Sequence, residues 1–233
     1  MKILAIIPAR GGSKGLPGKN IINFNDKPLI YWTIEQCKKS KLINKIVVST
    51  DDIKIAETSE KCGVSVPFLR PKELAADSSP TIDAVLHVLD TLKKNGELYD
   101  VVAVMEPTSP LRKKNDIDNA IQLLLDNWEQ ADAVVSLGEV HLEHPHVLKI
   151  VKNRLMKNFM DAGVKIYQRQ QLKPVYFPYG VAYIIKSNAL KKYKTLYPKR
   201  SLAYIIERWQ CYEIDDSVDL ICIDAIFKKI RNS

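Results

Sequence analysis

The sequence lacks any apolar run close to the roughly 18 residues that a transmembrane helix requires. The apolar run at residues 3–7 is too short for the hydrophobic region of a signal peptide, and it favours a buried strand. The four cysteines lie far apart without a Cys-x-x-Cys pair, which argues against a disulfide framework or a zinc site. We therefore expect a protein of the reducing cytoplasm that has no membrane partner.

Dense basic tracts are also missing, although Lys and Arg outnumber Asp and Glu by 35 to 27 and give a net charge of +8. The basic residues are scattered singly or in pairs, such as Lys38-Lys39 and Lys191-Lys192, within helix-like segments. No ribonucleoprotein or zinc-finger motif accompanies them, so we expect no nucleic-acid partner. The excess charge suits solvated helix faces or a small polyanionic substrate.

The composition argues against disorder and low complexity. Hydrophobic residues make up 46% of the positions and charged residues 27%, which is typical of a globular domain. A length of 233 residues fits one large domain with at most a small appendage, and the sequence shows no internal repeat. We therefore interpret residues 1–233 as a single domain.

Short apolar segments alternate with amphipathic segments along most of the chain. Strands are predicted where β-branched and apolar residues form short runs, at residues 2–7, 45–50, 64–68, 101–105, 131–136, 180–185 and 209–214. Helices are predicted where apolar residues recur at helical spacing, at residues 28–39, 52–61, 81–94, 116–126 and 216–230. Thr81 is expected to cap its helix.

Strands that alternate with helices indicate a parallel sheet covered on both faces. The expected fold class is α/β, with a single three-layer, Rossmann-like domain and a mostly parallel sheet. Ligands of such sheets bind beyond the carboxyl ends of the strands. We therefore expect the functional residues in the loops that follow Ile7, Thr50 and Met105.

The alternation of strands and helices stops at residues 139–178. This stretch is rich in His, Pro and charged residues, and its apolar residues follow neither the helical period nor the strand period clearly. We interpret it as an inserted arm or subdomain, after which a strand resumes at Gly180.

The loop after the first strand, residues 9–20, is the most informative stretch of the sequence. Its four glycines allow backbone amides to approach an anion closely. Arg10, Lys14 and Lys19 add positive charge at the same place. We interpret the loop as a cradle for a polyphosphate at the carboxyl edge of the sheet, the alternative being a flexible surface loop with solvated lysines.

Two known phosphate-binding motifs do not match this loop. The dinucleotide motif Gly-x-Gly-x-x-Gly is absent. The Walker motif nearly occurs at residues 13–20, but Ser13 replaces its first glycine and Asn20 replaces the hydroxyl residue that would hold Mg²⁺. The loop therefore belongs to neither class.

Six short segments, spread in order over the chain, form a recognisable set. They are residues 6–20 (IIPARGGSKGLPGKN), 48–52 (VSTDD), 70–75 (RPKELA), 106–112 (EPTSPLR), 168–172 (QRQQL) and 213–216 (EIDD). Together they resemble the acylneuraminate cytidylyltransferases, which make CMP-sialic acid and related CMP-nonulosonic acids. The resemblance covers essentially the whole chain.

The resemblance implies an enzyme with the nucleotide-binding fold of a nucleotidyltransferase. Its expected reaction transfers CMP from CTP to the anomeric hydroxyl of a nonulosonic, sialic-acid-like sugar acid and releases pyrophosphate. The product would serve glycan biosynthesis. CTP and a sugar acid are the expected partners, and Mg²⁺ is the expected cofactor.

The resemblance also implies roles for individual residues. Arg10, Lys19 and Asp215 are the expected catalytic residues, with Lys19 stabilising charge on the α-phosphate as pyrophosphate leaves. The expected nucleotide-binding residues are Arg10, Gly11, Gly12, Ser13, Lys14, Lys19, Asn20 and Arg70.

The late acidic segment is the expected metal site. Members of the family carry Asp-x-Asp there, and this chain carries Glu213 and Asp215. Alternate residues of an extended strand point to the same side, so both carboxylates can reach one Mg²⁺ ion. The alternative from the residues alone is a helix N-cap at Asp215 or Asp216, followed by Asp219 in the first turn.

The residues expected at the sugar acid depart from the family pattern. Glu106 stands where relatives often have Gln, and Phe177 and Tyr179 replace the Arg and Asn of an RPNGA segment. Arg169 is retained and is expected to pair with the carboxylate of the substrate. We expect all four residues to bind the substrate, the alternative for the aromatic pair being packing beneath the arm.

In relatives the arm swaps across a dimer and completes the site of the neighbour. The resemblance therefore implies a homodimer, in which Arg169 acts in either its own or the partner's site. Two rival functions stay open. One is a cytidylyltransferase for the eight-carbon acid Kdo or an amino derivative of it, and the other is a non-catalytic nucleotide-binding homologue.

Overall fold

The computed structural model describes residues 1–160 and 172–231. In chain order its strands are β1 (Ile3–Pro8), β2 (Asn23–Phe24), β3 (Lys27–Pro28), β4 (Lys45–Ser49), β5 (Val101–Val104), β6 (Ala133–Glu139), β7 (Lys149–Lys152), β8 (Leu155–Asn158), β9 (Tyr176–Lys186) and β10 (Ser201–Ile205). Its α-helices are α1 (Leu29–Lys39), α2 (Ile53–Lys61), α3 (Thr81–Lys94), α4 (Asp116–Asp126), α5 (Ser187–Tyr193) and α6 (Ser217–Arg231). Single 3₁₀ turns lie at Lys19–Ile21, Lys72–Leu74 and Arg208–Gln210.

Within the described residues, six strands form one sheet in the order β10-β6-β9-β5-β1-β4. β1 pairs in parallel with β4 and β5, and β6 pairs in parallel with β10. β9 lies between β5 and β6 and runs antiparallel to both. The sheet is therefore mostly parallel, which confirms the prediction from the alternation of strands and helices.

Successive side chains of β1 enter two different hydrophobic clusters. Ile3, Ala5 and Ile7 pack with buried residues of α1, α2 and α4. Leu4 and Ile6 pack with buried residues of α3 and α5. This alternation follows from the two-residue period of a strand, and it places one layer of helices on each face of the sheet.

One edge of the sheet collects the segments that form the candidate site. β1, β4 and β5 all end there because they are parallel to one another. β9 runs in the opposite direction, so its first residues lie at the same edge, where Glu106 N donates to the Gly180 carbonyl oxygen at 3.4 Å. The segment before α6 also reaches this edge, since Ile214 N donates to the Thr108 carbonyl oxygen at 2.9 Å.

Two of the predicted strands are wrong, because residues 64–68 and 209–214 are not strands. In the first segment Pro67 has no N–H group to donate to a strand ladder. The second segment begins inside the Arg208–Gln210 turn. The place beside β6 at the edge of the sheet is taken by β10, which the sequence analysis missed.

The predicted helices agree with the structure to within one residue at each end, although α5 was not predicted. The expected cap at Thr81 is wrong, because Pro80 precedes α3 and Thr81 is the first helical residue. None of the described helices combines the length and the apolar character that crossing a membrane requires.

A two-stranded hairpin, β7–β8, lies between β6 and β9 in the chain. Every residue of its two strands is exposed. The hairpin falls within residues 139–178, the predicted arm, of which residues 161–171 lie outside the described part of the chain. The boundaries and the role of the arm therefore stay predictions.

Candidate active site

A cleft of about 590 Å³ opens at the edge of the sheet where β1, β4 and β5 end. This volume falls within the range of roughly 300–1,000 Å³ that is usual for small-molecule sites. The charged residues that line it are Arg10, Lys14, Lys19, Arg70, Asp77, Glu106 and Asp215. The lining therefore combines four basic and three acidic side chains.

Three of the basic side chains are paired with carboxylates of the same cleft. Arg10 Nη1 lies 2.9 Å from Asp77 Oδ1, and Lys14 Nζ lies 2.5 Å from Asp77 Oδ2. Lys19 Nζ lies 2.8 Å from Asp215 Oδ1. The hydrogen bond from Lys14, together with the charge of Arg10, holds the pKa of the Asp77 carboxyl below its usual value. Three of the four cations of the cleft are thus paired within the protein, and Arg10 and Lys14 share the single charge of Asp77.

Close packing explains two of the glycines in the loop after β1. Gly11 N donates to Asp51 Oδ1 at 3.0 Å, and a Cβ atom on Gly11 would lie 2.7 Å from Asp52 Oδ2. A Cβ atom on Gly15 would lie 2.6 Å from the Asp215 carbonyl oxygen. Only glycine allows this approach to the end of β4 and to the segment before α6. The Gly11 amide is therefore engaged within the protein.

Asn20 and Arg70 are both buried where the cleft meets the sheet. Asn20 Nδ2 donates to the Arg10 carbonyl oxygen at 2.9 Å. Arg70 donates from Nε to Ser49 Oγ at 3.0 Å and from Nη2 to the Ser49 carbonyl oxygen at 2.5 Å. Burial lowers the pKa of the Arg70 guanidinium, although the charge of Asp51 opposes this change. Both side chains are thus oriented by the protein.

The floor of the cleft is fixed by the buried guanidinium of Arg112. Its Nη2 donates to the carbonyl oxygens of Glu106 at 2.7 Å and Gly180 at 2.8 Å. Its Nε donates to the Val181 carbonyl oxygen, and its Nη1 donates to Thr33 Oγ1, both at 2.8 Å. These bonds tie the loop after β5 to the first half of β9 and to α1.

Glu106 in the floor and Glu213 beneath it both lie next to Gly180. Glu213 Oε1 accepts hydrogen bonds from Ser109 Oγ at 2.8 Å and from Gly180 N at 2.5 Å. A Cβ atom on Gly180 would lie 2.5 Å from Glu106 Oε2. Burial, and after it the charge of Glu213, raises the pKa of Glu106 to about 7. Glu106 therefore titrates near neutral pH, whereas a carboxyl group in solvent titrates at about pH 4.

The acidic residues after Glu213 divide into two roles. Asp216 Oδ1 accepts hydrogen bonds from Val218 N at 2.7 Å and Asp219 N at 3.0 Å, which caps α6. Asp219 Oδ2 accepts from the backbone N–H groups of Asp215 and Asp216 at 2.9 Å and 3.1 Å. The structure therefore places the cap at Asp216, while the Asp215 carboxylate is directed at Lys19.

The structure brings together most of the residues that the sequence predicted for the site. Those that line the cleft are Arg10, Ser13, Lys14, Lys19, Asn20, Arg70, Glu106 and Asp215. Gly11 and Gly12 belong to the same loop without lining the cleft, and Gly12 is exposed. Glu213 lies beneath the floor, outside the lining.

Phe177 and Tyr179 are not among the residues that line the cleft. Their rings meet edge to face with centroids 5.1 Å apart near the start of β9. Tyr179 packs against a small buried cluster that contains Cys211, whereas Phe177 is 51% exposed. Arg169 lies outside the described residues. The expected contacts of these three residues with the substrate therefore stay predictions.

Sequence analysis missed Asp77, Thr108 and Arg112 as parts of the site. Thr108 and Arg112 belong to the EPTSPLR segment, whose last residue supports the floor from below. Asp77 lies two residues after the RPKELA segment, and this position is the signal that could have identified it.

Replacing Glu106 by Gln is expected to change how stability depends on pH. The pKa of Glu106 is raised from 4.5 to about 7 in the folded protein, so the folded state holds a proton that the unfolded state has released. Wild-type stability should therefore fall as the pH rises through this window, by up to about 3 kcal/mol. Urea unfolding of Glu106→Gln at about pH 5 and about pH 8 should show a smaller fall.

Glu57→Gln is the matched control, because Glu57 is exposed on α2. This variant should keep the pH dependence of the wild type. If Glu106→Gln also kept it, Glu106 would ionise like a carboxyl group in solvent, and the burial described above would have no electrostatic consequence.

A family model and two curated relatives identify the same family. The cytidylyltransferase family model matches residues 4–221. The chain is 32% identical over 228 residues to the pseudaminic acid cytidylyltransferase of Campylobacter jejuni subsp. jejuni serotype O:23/36, with 98% of this chain and 97% of the relative covered. It is 33% identical over 221 residues to the CMP-N,N'-diacetyllegionaminic acid synthase of Legionella pneumophila, with 94% of this chain and 91% of the relative covered.

A solved structure shares the fold. The CMP:2-keto-3-deoxy-manno-octonic acid synthetase complexed with CTP aligns with a TM-score of 0.72 at 16% sequence identity, covering 99% of this chain and 100% of that chain. This likeness confirms the α/β nucleotidyltransferase fold. Because the family model spans nearly the whole chain and both relatives exceed 30% identity, the chain belongs to the cytidylyltransferase family.

Proposed function

We propose that this cytidylyltransferase transfers CMP from CTP to the anomeric hydroxyl of a nonulosonic, sialic-acid-like sugar acid. The observation that carries the proposal is the cleft at the carboxyl edge of the sheet, which gathers the basic side chains of Arg10, Lys14, Lys19 and Arg70. The acceptor class is supported by two relatives, whose names carry pseudaminic acid and N,N'-diacetyllegionaminic acid.

The triphosphate of CTP is proposed to lie along the loop after β1. The anomeric oxygen forms a bond to the α-phosphorus, the bond to the pyrophosphate leaving group breaks, and the proton of the hydroxyl passes to solvent. Arg10 and Lys14 hold the outer phosphates, and Lys19 neutralises charge on the α-phosphate. The Lys19 side chain is only 14% exposed, and a cation shielded from water acts more strongly on a neighbouring charge.

The nucleoside is proposed to face Asn20 and Arg70 at the inner end of the cleft. Both side chains line the cleft, and both are held by hydrogen bonds to the carbonyl oxygens of Arg10 and Ser49. Groups that are already oriented bind a ligand without losing further side-chain freedom. Gly11, Gly12 and Ser13 complete the proposed nucleotide-binding set through the shape of the loop.

Mg²⁺ is the proposed cofactor, and Asp215 is the proposed protein ligand. Mg²⁺ commonly binds through one or two carboxylates together with substrate phosphates. The Asp215 side chain is 77% exposed in the cleft, and the described residues contain no group of three or more acidic, His or Cys ligands that could hold a metal alone. The site therefore fits an ion shared with the nucleotide, which would neutralise phosphate charge.

Glu213 as a second metal ligand stays a prediction. Its Oε1 atom already accepts hydrogen bonds from Ser109 and Gly180. The Asp215 carboxylate also has a partner, Lys19, but it lines the cleft and is 77% exposed, whereas Glu213 lies outside the lining.

Glu106 is proposed to contact the sugar acid from the floor of the cleft. Its pKa of about 7 means that the carboxyl is protonated in part of the molecules at neutral pH. A protonated carboxyl can donate as well as accept hydrogen bonds, which suits the hydroxyl and amide groups of a sugar acid.

Pyrophosphate release tests the proposed function directly. The protein would receive CTP and Mg²⁺ with N-acetylneuraminic, legionaminic or pseudaminic acid, or with Kdo or 8-amino-Kdo, in separate reactions. We expect release with a nine-carbon acid and none with the eight-carbon acids. Release with an eight-carbon acid alone would contradict the proposed acceptor, and CTP binding without release from any acid would contradict the proposed activity.

Lys19→Ala is expected to lower kcat/KM for CTP by about 100- to 1,000-fold, because such losses follow removal of one group that stabilises charge in a transition state. Lys39→Ala is the matched control, since Lys39 is exposed on α1 and lies outside the cleft. Initial rates at varied CTP concentration measure the effect. A loss of less than about tenfold in a folded Lys19→Ala protein would exclude the proposed role.

We also propose that the protein is a homodimer through hairpin β7–β8. Val151 and Met156 lie opposite each other on one face of the hairpin and are 69% and 73% exposed. A two-stranded hairpin alone is marginally stable in water, and exposed apolar side chains of this size mark surfaces that another molecule covers. A second copy of the chain is the proposed partner.

Met156→Glu is expected to separate the proposed dimer, because it would bury a charge in an apolar contact. Light scattering after size exclusion should then give the 26.5 kDa mass of one chain. Lys157→Glu, on the opposite face of the hairpin, should leave the dimer mass unchanged. A single-chain mass for the wild type would contradict the dimer, and a dimeric Met156→Glu would exclude this surface.

A cytoplasmic location is proposed as well. All four cysteines are free thiols, and Cys222 is exposed. Free thiols of this kind persist in a reducing compartment.

A further inference from the structure

Asp77 lies in a short loop that leads to the start of α3. The loop is shaped by its own hydrogen bonds, since Ser79 Oγ donates to the Glu73 carbonyl oxygen at 2.6 Å and Ser79 N donates to the Ala76 carbonyl oxygen at 3.0 Å. Arg10 also contacts the backbone of this loop, since its Nη1 donates to the Ala75 carbonyl oxygen at 3.4 Å.

The two carboxylate oxygens of Asp77 face two different cations. Oδ1 lies 2.9 Å from Arg10 Nη1, and Oδ2 lies 2.5 Å from Lys14 Nζ. Two oxygens of one phosphate group would meet the same cations in the same way. The Asp77 side chain is 44% exposed and lines the cleft, so the two ion pairs are in contact with solvent.

We propose that Asp77 is a competing counter-ion that takes the place of phosphate oxygens on Arg10 and Lys14, gives way to CTP, and returns as pyrophosphate departs. The inference rests on the proposed function, which assigns these two cations to the triphosphate. The exchange makes and breaks no covalent bond: the cations change partner, and pyrophosphate passes into solvent. Asp77 thereby weakens product binding and speeds product release.

The energetics of exposed ion pairs suit such an exchange. A pair in contact with water contributes little to stability, so a polyanion such as CTP can displace the single charge of Asp77. Without Asp77, Arg10 and Lys14 would present two uncompensated positive charges to pyrophosphate and would hold it more tightly. The Asp77 carboxylate, which contacts both cations, therefore limits their affinity for pyrophosphate.

Asp77→Asn tests the proposal, because it keeps the size of the side chain and removes its charge. Inorganic pyrophosphate would be titrated calorimetrically into wild type and variant at low ionic strength. We expect the variant to bind pyrophosphate about fivefold more tightly. This ratio of affinities corresponds to the upper end of the free energy that an exposed ion pair contributes. Inhibition of CTP turnover by pyrophosphate should strengthen by a similar factor.

Asp83→Asn is the matched control. Asp83 belongs to the first turn of α3 and does not line the cleft, so its variant removes the same charge nearby and should bind pyrophosphate like the wild type. Unchanged affinity in a folded Asp77→Asn protein would overturn the proposal. Weaker binding would also overturn it, because Asp77 would then position the two cations for the phosphates.

The proposed function is tested separately by the Arg10→Ala/Lys14→Ala double variant. It should bind pyrophosphate more weakly than the wild type, whatever the role of Asp77, and full binding would exclude these cations as the phosphate site. In that background Asp77→Asn should have no further effect, because its competition acts through the two removed cations.

Discussion

The buried guanidinium of Arg112 is the interaction on which the floor of the cleft depends. It joins three separate parts of the chain, namely the loop after β5, the first half of β9 and α1. A charged side chain is tolerated in the interior where its donors find acceptors, and carbonyl and hydroxyl oxygens surround this one. Lysine could not replace it, because an ammonium lacks the planar fork of donors. The position of Glu106 follows from this arrangement.

The reversed direction of β9 divides the acidic groups of the site into two sets. Because β9 starts where the parallel strands end, Gly180 comes to lie against both Glu106 and Glu213. In the floor of the cleft, burial and the charge of Glu213 raise the pKa of Glu106. At the open side of the cleft, Asp77 and Asp215 instead meet cations. Glu106 in the floor can therefore hold a proton near neutral pH, whereas Asp77 and Asp215 are paired with the cations that are proposed to bind phosphate.

Local patterns predicted the layers, five of the six strands of the large sheet and the set of cations, because apolar periodicity and the glycine- and lysine-rich loop are visible in the sequence itself. Other features depend on partners that are distant along the chain. Arg10 meets Asp77 across 67 positions, and Arg112 meets Val181 across 69. The orientation of the Glu213 side chain likewise depends on hydrogen-bond donors from other segments, namely Ser109 Oγ and Gly180 N. Strand β10 was missed, and its residues are exposed or half-buried, unlike the fully buried β5.

A crystal structure of the protein with CTP would test most directly whether the cations of the loop after β1 hold the triphosphate. We expect phosphate oxygens within hydrogen-bond distance of Arg10, Lys14 and Lys19, and Asp77 displaced from its two partners. Phosphates bound elsewhere, with Asp77 still paired to Arg10 and Lys14, would contradict the proposed site.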